Sequence, residues 1–81
     1  MAQHEVLSPL PGIFYRKPAP EKPFYKQDGD RVAEGDVIGL VEVMKQFTEI
    51  QADASGKVTR FLVDNEAAVE PGQPVMLIET A

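Results

Sequence analysis

Apolar residues along the chain occur in short runs that alternate with glycine, proline and acidic residues. Runs rich in β-branched and aromatic residues, bounded by turn residues, are typical of strands in a sandwich or small barrel. The seven prolines and six glycines leave no window long enough for a sustained helical period. The pattern therefore predicts an all-β fold, with strands at residues 5–7, 13–15, 37–43, 47–51, 57–63 and 75–79.

The two halves of the chain repeat the same pattern. Residues 32–42 match residues 69–79 at an offset of 37 residues, and Gly12 matches Gly56 at an offset of 44. Such a repeat indicates that each half supplies an equivalent set of strands. We therefore expect one domain, residues 1–81, folded as a flattened β-barrel or sandwich of two antiparallel sheets. About eight short strands would be related by quasi-twofold symmetry.

The first half is longer than the second, because the offsets of 44 and 37 residues differ by seven. The excess lies in or near residues 15–24, the most proline-dense stretch of the chain. Proline fixes φ and has no backbone N–H, so this stretch cannot be a central strand. We predict a stiffened loop, called the insert, that projects from the barrel at residues 15–24.

The two halves meet at residues 43–47, where the chain must reverse from one strand into the next. Two-residue hairpin turns favour Asn-Gly, Asp-Gly or other glycine pairs, because their central residues need positive φ. No glycine occurs between Gly39 and Gly56, and the reversal falls on Met44 and Lys45. Departures from a local rule concentrate at functional sites, so Lys45 is the candidate functional residue. The structural alternative is an unprimed turn with a tolerated methionine and a solvated lysine.

Composition excludes several classes of function. Thirteen acidic against eight basic residues give a net charge of -5, which disfavours binding to nucleic acid or anionic membrane. The absence of cysteine excludes disulfides and thiolate chemistry. No apolar run approaches the roughly 20 residues of a membrane span, and no signal peptide is evident. We expect a cytoplasmic monomer that is too small to enclose an active site.

Metal binding is not predicted either. His4 is the single histidine and has no second histidine or cysteine beside it in the sequence. Asp28, Asp30 and Asp36 lack the remaining ligands of an EF-hand loop. Turn formation explains these aspartates better.

The segment Glu42-Val43-Met44-Lys45 resembles the Glu-Ala-Met-Lys segment of biotinyl domains, and the resemblance extends through residues 8–16, 32–36 and 56–58. Within the biotinyl and lipoyl-attachment family, the similarity is greatest to carrier subunits of bacterial acetyl-CoA carboxylase. Those carriers have a protruding thumb after a Phe-Tyr-Arg sequence, and the insert lies at that position.

The resemblance implies a carrier without catalytic residues of its own. Biotin protein ligase would attach biotin covalently to Lys45. The biotin would then shuttle a carboxyl group from biotin carboxylase to carboxyltransferase, in acetyl-CoA carboxylase and hence in fatty acid synthesis. The residues implied to lie near biotin are Lys45, its neighbours Glu42, Val43, Met44 and Gln46, and the thumb residues Arg16, Lys17, Pro18, Ala19 and Pro20.

Two questions concern individual residues of this set. Gln46 replaces the usual second methionine and Val43 the usual alanine, which we expect to affect carboxyl transfer more than attachment. Arg16, Lys17 and Lys22 bring positive charge to an otherwise acidic chain. They are candidates to attract the carboxylated cofactor, and a solvated loop without such a role is the alternative.

Two other functions stay open at this stage. A lipoyl carrier would use the same barrel and lysine turn, although lipoyl domains commonly have aspartate before the lysine, where this chain has Met44. An unmodified barrel that acts as an interaction module within a larger assembly is the other alternative, and Gln46 leaves it open.

Overall fold

The structure is a computed structural model that describes residues 2–80, and these residues form eight strands and no helix. The strands are β1 (Ala2–Leu7), β2 (Gly12–Tyr15), β3 (Arg31–Val32), β4 (Val37–Val43), β5 (Gln46–Gln51), β6 (Gly56–Phe61), β7 (Ala67–Val69) and β8 (Pro74–Thr80). Two antiparallel four-stranded sheets result, in the orders β1-β8-β6-β3 and β5-β4-β2-β7. The predicted all-β sandwich is confirmed. No helix within this part of the chain is long and apolar enough to cross a membrane.

The sequence pattern does not predict strands β3 and β7. Strands β3 and β7 contain two and three residues, which is too short for an alternating pattern to be visible. Strand β6 ends at Phe61, although the apolar pattern predicted a strand as far as residue 63. Leu62 and Val63 are half-buried in the bend that follows the strand. The N–H of Leu62 still donates to the carbonyl of Val75 in β8 at 2.8 Å, and Val63 packs against the core. The apolar run therefore continues past the end of the regular strand.

The quasi-twofold repeat is visible in both the topology and the loops. The counterpart of each strand lies four strands away in sequence. Strands β1, β8, β6 and β3 of one sheet therefore correspond, in this order, to β5, β4, β2 and β7 of the other. The N–H of Ser8 donates to the carbonyl of Gln73 at 2.9 Å, and the N–H of Ala52 donates to the carbonyl of Asp36 at 2.8 Å. These two bonds are related by the same offsets of 44 and 37 residues that relate the two halves of the sequence.

Apolar side chains from both sheets fill the space between them. Strands β4 and β8 are central in their sheets and contribute the longest buried runs, whereas each of the other six strands contributes a single buried residue. The buried core consists of Val6, Phe14, Val32, Ile38, Val41, Ile50, Ala52, Val58, Val69, Val75, Met76 and Ile78.

The sandwich also depends on two glycines at equivalent positions. A Cβ atom at Gly12 would collide with the carbonyl oxygen of Glu42, and one at Gly56 would collide with the carbonyl oxygen of Glu79. Backbone atoms of a paired strand cannot move aside as a flexible side chain can. Glycine is therefore required wherever β2 or β6 passes so close to β4 or β8.

One loop breaks the symmetry of the fold. The β2–β3 loop covers residues 16–30, and its counterpart between β6 and β7 covers only residues 62–66. Tyr15, where the predicted insert begins, belongs to β2. The loop closes on itself, because the N–H of Tyr25 donates to the carbonyl of Arg16 at 2.8 Å. Between these two residues the chain reverses in a turn, in which the N–H of Lys22 donates to the carbonyl of Ala19 at 3.0 Å.

We predict that Gly56→Ala lowers the free energy of unfolding by about 3 kcal/mol, because the added methyl group forces β6 away from the backbone of β8. The matched control is Gly35→Ala. Gly35 has a φ of 95° and open space around it, so this change adds only backbone strain of about 1 kcal/mol. Urea denaturation of both variants measures the difference. Equal losses in the two variants would contradict the close-approach explanation.

Candidate functional site

The turn between β4 and β5 consists of Met44 and Lys45. Val43 and Gln46 on either side of it are paired in the antiparallel ladder, so only two residues reverse the chain. Met44 has a φ of 50° and Lys45 a φ of 66°. Positive φ at both central residues is the signature of the primed type I′ turn. The unprimed turn considered as the structural alternative is therefore wrong.

This turn is strained by the residues that occupy it. Type I′ turns normally use Asn-Gly or similar pairs, and a residue with a Cβ atom loses about 1–2 kcal/mol in the left-handed region. Met44 is 91% exposed, and Lys45 and Gln46 are also exposed, so burial does not explain why methionine and lysine are present. Strain that persists without a packing reason points to a functional requirement for these side chains.

A hydrogen bond links the β4–β5 hairpin to strand β2. The hydroxyl of Tyr15 donates to Oε1 of Glu42 at 2.8 Å, two residues before the turn. This bond to a carboxylate, followed by partial burial, raises the pKa of Tyr15 above its ordinary value. The ring of Tyr15 also lies 6.0 Å from that of Phe47, centroid to centroid. The strand that leads into the β2–β3 loop is thus attached to the hairpin that carries Lys45.

A cleft of about 370 Å³ separates the β2–β3 loop from the outer face of the β4–β5 hairpin. Four of the five predicted thumb residues line it, namely Lys17, Pro18, Ala19 and Pro20. The opposite wall contains Leu40 and Phe47, while Asn65 and Glu66 provide polar atoms at one end, beside Tyr15. A more open groove continues along β5, between Tyr25 on one side and Glu49 and Gln51 on the other.

Arg16, the fifth predicted thumb residue, has a different environment. Its guanidinium carbon lies 4.3 Å from the ring centroid of Phe24 and 4.0 Å from that of Phe61. Burial lowers the pKa of Arg16 below its ordinary value. The ammonium of Lys17 donates to the carbonyl of Pro20 at 3.2 Å. The structure therefore places the Arg16 charge at the base of the loop, between two aromatic rings.

Sequence reasoning missed the wall of the cleft opposite the loop. Leu40 and Phe47 were assigned only to strands, and Tyr25, Asn65 and Glu66 to no site. One signal was available for Phe47, which precedes Glu49 and Gln51 on the outward-facing side of an edge strand and is 59% exposed. A large apolar residue among polar outward positions is unusual, but which element faces it cannot be deduced from strand alternation.

The remaining candidates have structural roles. The Oδ2 atom of Asp30 accepts the N–H of Gln27 at 2.8 Å, and that of Asp36 accepts the N–H of Ala33 at 2.9 Å. These bonds close turns, as expected for aspartates at such positions. His4 pairs with Asp53 at 2.7 Å on the surface. Residues 2–80 contain no group of three or more His, Cys, Asp or Glu side chains arranged for a metal ion.

Comparison with known proteins identifies what this arrangement is similar to. A model of the family described as "Biotin-requiring enzyme" matches residues 4–78. The chain is 45% identical over 75 residues to the biotin carboxyl carrier protein of acetyl-CoA carboxylase from a Nostoc species, which is 93% of this chain and 41% of that protein. The corresponding protein of Haemophilus influenzae is 39% identical over 79 residues, which is 98% of this chain and 51% of that protein.

The fold comparison agrees with the sequence comparison. The crystal structure of the Kluyveromyces lactis urea carboxylase matches 98% of this chain with a TM-score of 0.78 and 30% identity, using 6% of the larger chain. The present chain spans about half or less of the length of the two carrier proteins, and a small part of the carboxylase.

We predict that the double substitution Met44→Asn with Lys45→Gly raises the free energy of unfolding by about 1 kcal/mol. Asparagine and glycine adopt positive φ readily, and this relief exceeds the entropy lost by the glycine. The control is Thr48→Gly at an exposed position of β5, which should lower stability by roughly 0.5–1 kcal/mol. Thermal and urea unfolding test both. A double variant no more stable than the native chain would show that the turn is not strained.

Proposed function

Because this chain belongs to the biotin-requiring enzyme family, whose model matches residues 4–78, we propose that Lys45 is the attachment point for biotin and that the domain is a carrier of carboxyl groups. The observation that carries this proposal is the position of Lys45. It occupies a strained type I′ turn in which its side chain is exposed. The same residue follows Glu42, Val43 and Met44 in the segment that resembles the family's attachment motif.

The residues at this turn fit covalent attachment. A lysine amine has a pKa near ~10.4 in model compounds and is a poor nucleophile at neutral pH, so an enzyme must activate the biotin carboxylate. An exposed amine on a two-residue turn enters a ligase site without the loss of any ladder hydrogen bond. Amide formation there also removes one positive charge without burying any group.

The domain supplies presentation and not catalysis. When bound, biotin provides a ring nitrogen that takes up a carboxyl group at one enzyme site and releases it at another. The rigid sandwich determines which surface is presented with it, and attachment to a carrier raises its effective concentration at each site. Two open clefts lie beside the hairpin, which suits a carrier that delivers its group to other active sites.

The names of the relatives support the assignment of this carrier to a particular enzyme system. Two of them are biotin carboxyl carrier proteins of acetyl-CoA carboxylase, so we place the domain in that cytoplasmic system. Its partners would be biotin protein ligase, biotin carboxylase and carboxyltransferase. Glu42, Val43, Met44 and Gln46 flank the modified residue and would contact these enzymes. The cleft residues Lys17, Pro18, Ala19 and Pro20 would limit the movement of the attached group.

We predict that incubation with a biotin protein ligase, ATP and biotin adds one biotin to the protein, observed by intact-mass measurement. The formal charge changes from -5 to -6, because one lysine cation becomes a neutral amide, so isoelectric focusing shows a more acidic band. Lys45→Arg should abolish both changes. Lys22→Arg, the same substitution at another exposed lysine, should abolish neither.

Three outcomes would contradict attachment of biotin at Lys45. An adduct that persists in Lys45→Arg would place the modification elsewhere. An adduct formed only with a lipoate ligase and lipoate would identify a lipoyl carrier. The absence of any adduct would favour an unmodified interaction module.

We predict that Gln46→Met increases the rate of carboxyl transfer a few-fold and leaves the rate of biotinylation unchanged. The reason is that the resemblance assigns the flanking methionines to carboxylation more than to recognition by the ligase. Thr48→Met is the matched control, since Thr48 lies on the same side of β5 two residues further on and is also exposed. Steady-state transfer assays and ligase assays measure the two rates. A faster ligase reaction in Gln46→Met would contradict this assignment.

A further inference from the structure

Arg16 is the first residue of the β2–β3 loop, and its side chain joins the far part of that loop to the sandwich. Phe24, on one side of the guanidinium at 4.3 Å, belongs to the returning part of the loop. Phe61, on the other side at 4.0 Å, ends β6 and packs against the core. A planar guanidinium stacks on aromatic faces in a way that a lysine ammonium does not. The three side chains therefore form a clamp, which we call the Arg16 clamp.

The backbone and the outer nitrogens of Arg16 support the same attachment. Its N–H donates to Oδ1 of Asn65 in the β6–β7 loop at 2.7 Å. Its carbonyl accepts the N–H of Tyr25 at 2.8 Å, and Nη2 reaches the carbonyl of Lys26 at 3.4 Å. Nε is buried and has no hydrogen-bond partner. The hydrogen bonds of its backbone and of Nη2 thus add to the stacking contacts that hold Arg16 at the base of the loop.

The clamp determines where the cleft wall lies. Lys17, Pro18, Ala19 and Pro20 follow Arg16 directly in sequence and line the cleft. The effect of this wall is visible at Leu40, which is only 8% exposed. Its counterpart 37 residues later, Leu77, has no such loop over it and is half-buried. The loop therefore packs against the sheet at Leu40 and leaves the equivalent position at Leu77 more exposed.

We propose that Arg16 is a positioning residue, which holds the β2–β3 loop against the β4–β5 hairpin by stacking between Phe24 and Phe61 and so maintains the shape of the cleft. Its charge is not used to attract the carboxylated group. The consequence for carboxyl transfer rests on the proposed carrier function, whereas the consequence for the loop does not.

Two variants separate stacking from charge. Arg16→Lys keeps the positive charge and loses the planar group that lies between the rings. Phe24→Leu keeps Arg16 and removes one of the rings. The matched control is Arg60→Lys, the same chemical change at an exposed arginine of β6. Each lies outside the buried core, so the variants should fold.

The first measurement uses the unmodified domain and needs no biotin. The amides of Lys22 and Tyr25 are hydrogen-bonded within the loop, so their hydrogen exchange reports loop opening. We expect both to exchange roughly tenfold faster or more in Arg16→Lys and Phe24→Leu. The amide of Ala52, bonded to Asp36 outside the loop, should keep its native rate, and Arg60→Lys should change none of the three.

A double-mutant cycle checks that the two residues act through one contact. The exchange rates in the combined Arg16→Lys and Phe24→Leu variant should rise much less than the product of the two single effects. If the increase in the combined variant equals the product of the two single increases, the two residues do not act through one contact. Unchanged exchange rates at Lys22 and Tyr25 in Arg16→Lys would also contradict the Arg16 clamp.

The second measurement uses the biotinylated domain. We expect Arg16→Lys to reduce kcat/KM for carboxyl transfer roughly tenfold although the charge of the loop is unchanged and the adduct mass is the same. If a variant whose loop amides exchange faster has the same kcat/KM for carboxyl transfer as the native domain, the positioning role is wrong. The proposal that biotin is attached at Lys45 is not affected by that result. Failure to biotinylate Lys45 would instead refute the carrier function, and the exchange measurement would still decide whether the clamp exists.

Discussion

The pairing of β4 with β5 is regular from Gly39, opposite Ile50, as far as Val43, opposite Gln46, and the rest of the site follows from this constraint. Only two residues remain to reverse the chain, and the right-handed twist of the strands requires them to have positive φ. A longer loop would relieve the strain, but the position of Lys45 relative to the sandwich would then be less well defined. The short turn holds Lys45 at the tip of a paired hairpin, with its own side chain as the flexible part.

The quasi-twofold fold could in principle present two such turns, but residues 2–80 form only one. The position equivalent to the turn lies where β8 ends and β1 begins, because Thr80 pairs with Ala2 as Val43 pairs with Gln46. The two ends of the described chain therefore lie at one end of the sandwich and Lys45 at the other. This arrangement separates the presented residue from the point at which the rest of a larger protein would be connected.

Much of the fold could be predicted from the sequence, because the repeat relates two halves whose glycines and turns match at constant offsets. The cleft could not be predicted in the same way. Its walls come from elements distant in sequence, with Pro18 on one side and Leu40 and Phe47 on the other, and the repeat contains no information about a segment that only one half has. The environment of Arg16 could not be deduced from the sequence for a related reason. Sequence shows its charge, whereas the two aromatic rings that surround it come from Phe24 and Phe61.

The turn and the loop illustrate opposite uses of conformational free energy at one site. At Met44 and Lys45 the free energy of unfolding is lowered, because residues that prefer negative φ occupy positions with positive φ and are retained for their side chains. At Arg16 the partial burial of a charged group is offset by stacking on two rings. Both devices lie outside the cluster of apolar side chains that forms the buried core. Separating the functional strain from the core lets the sandwich remain rigid while one of its ends is optimised for presentation and not for stability.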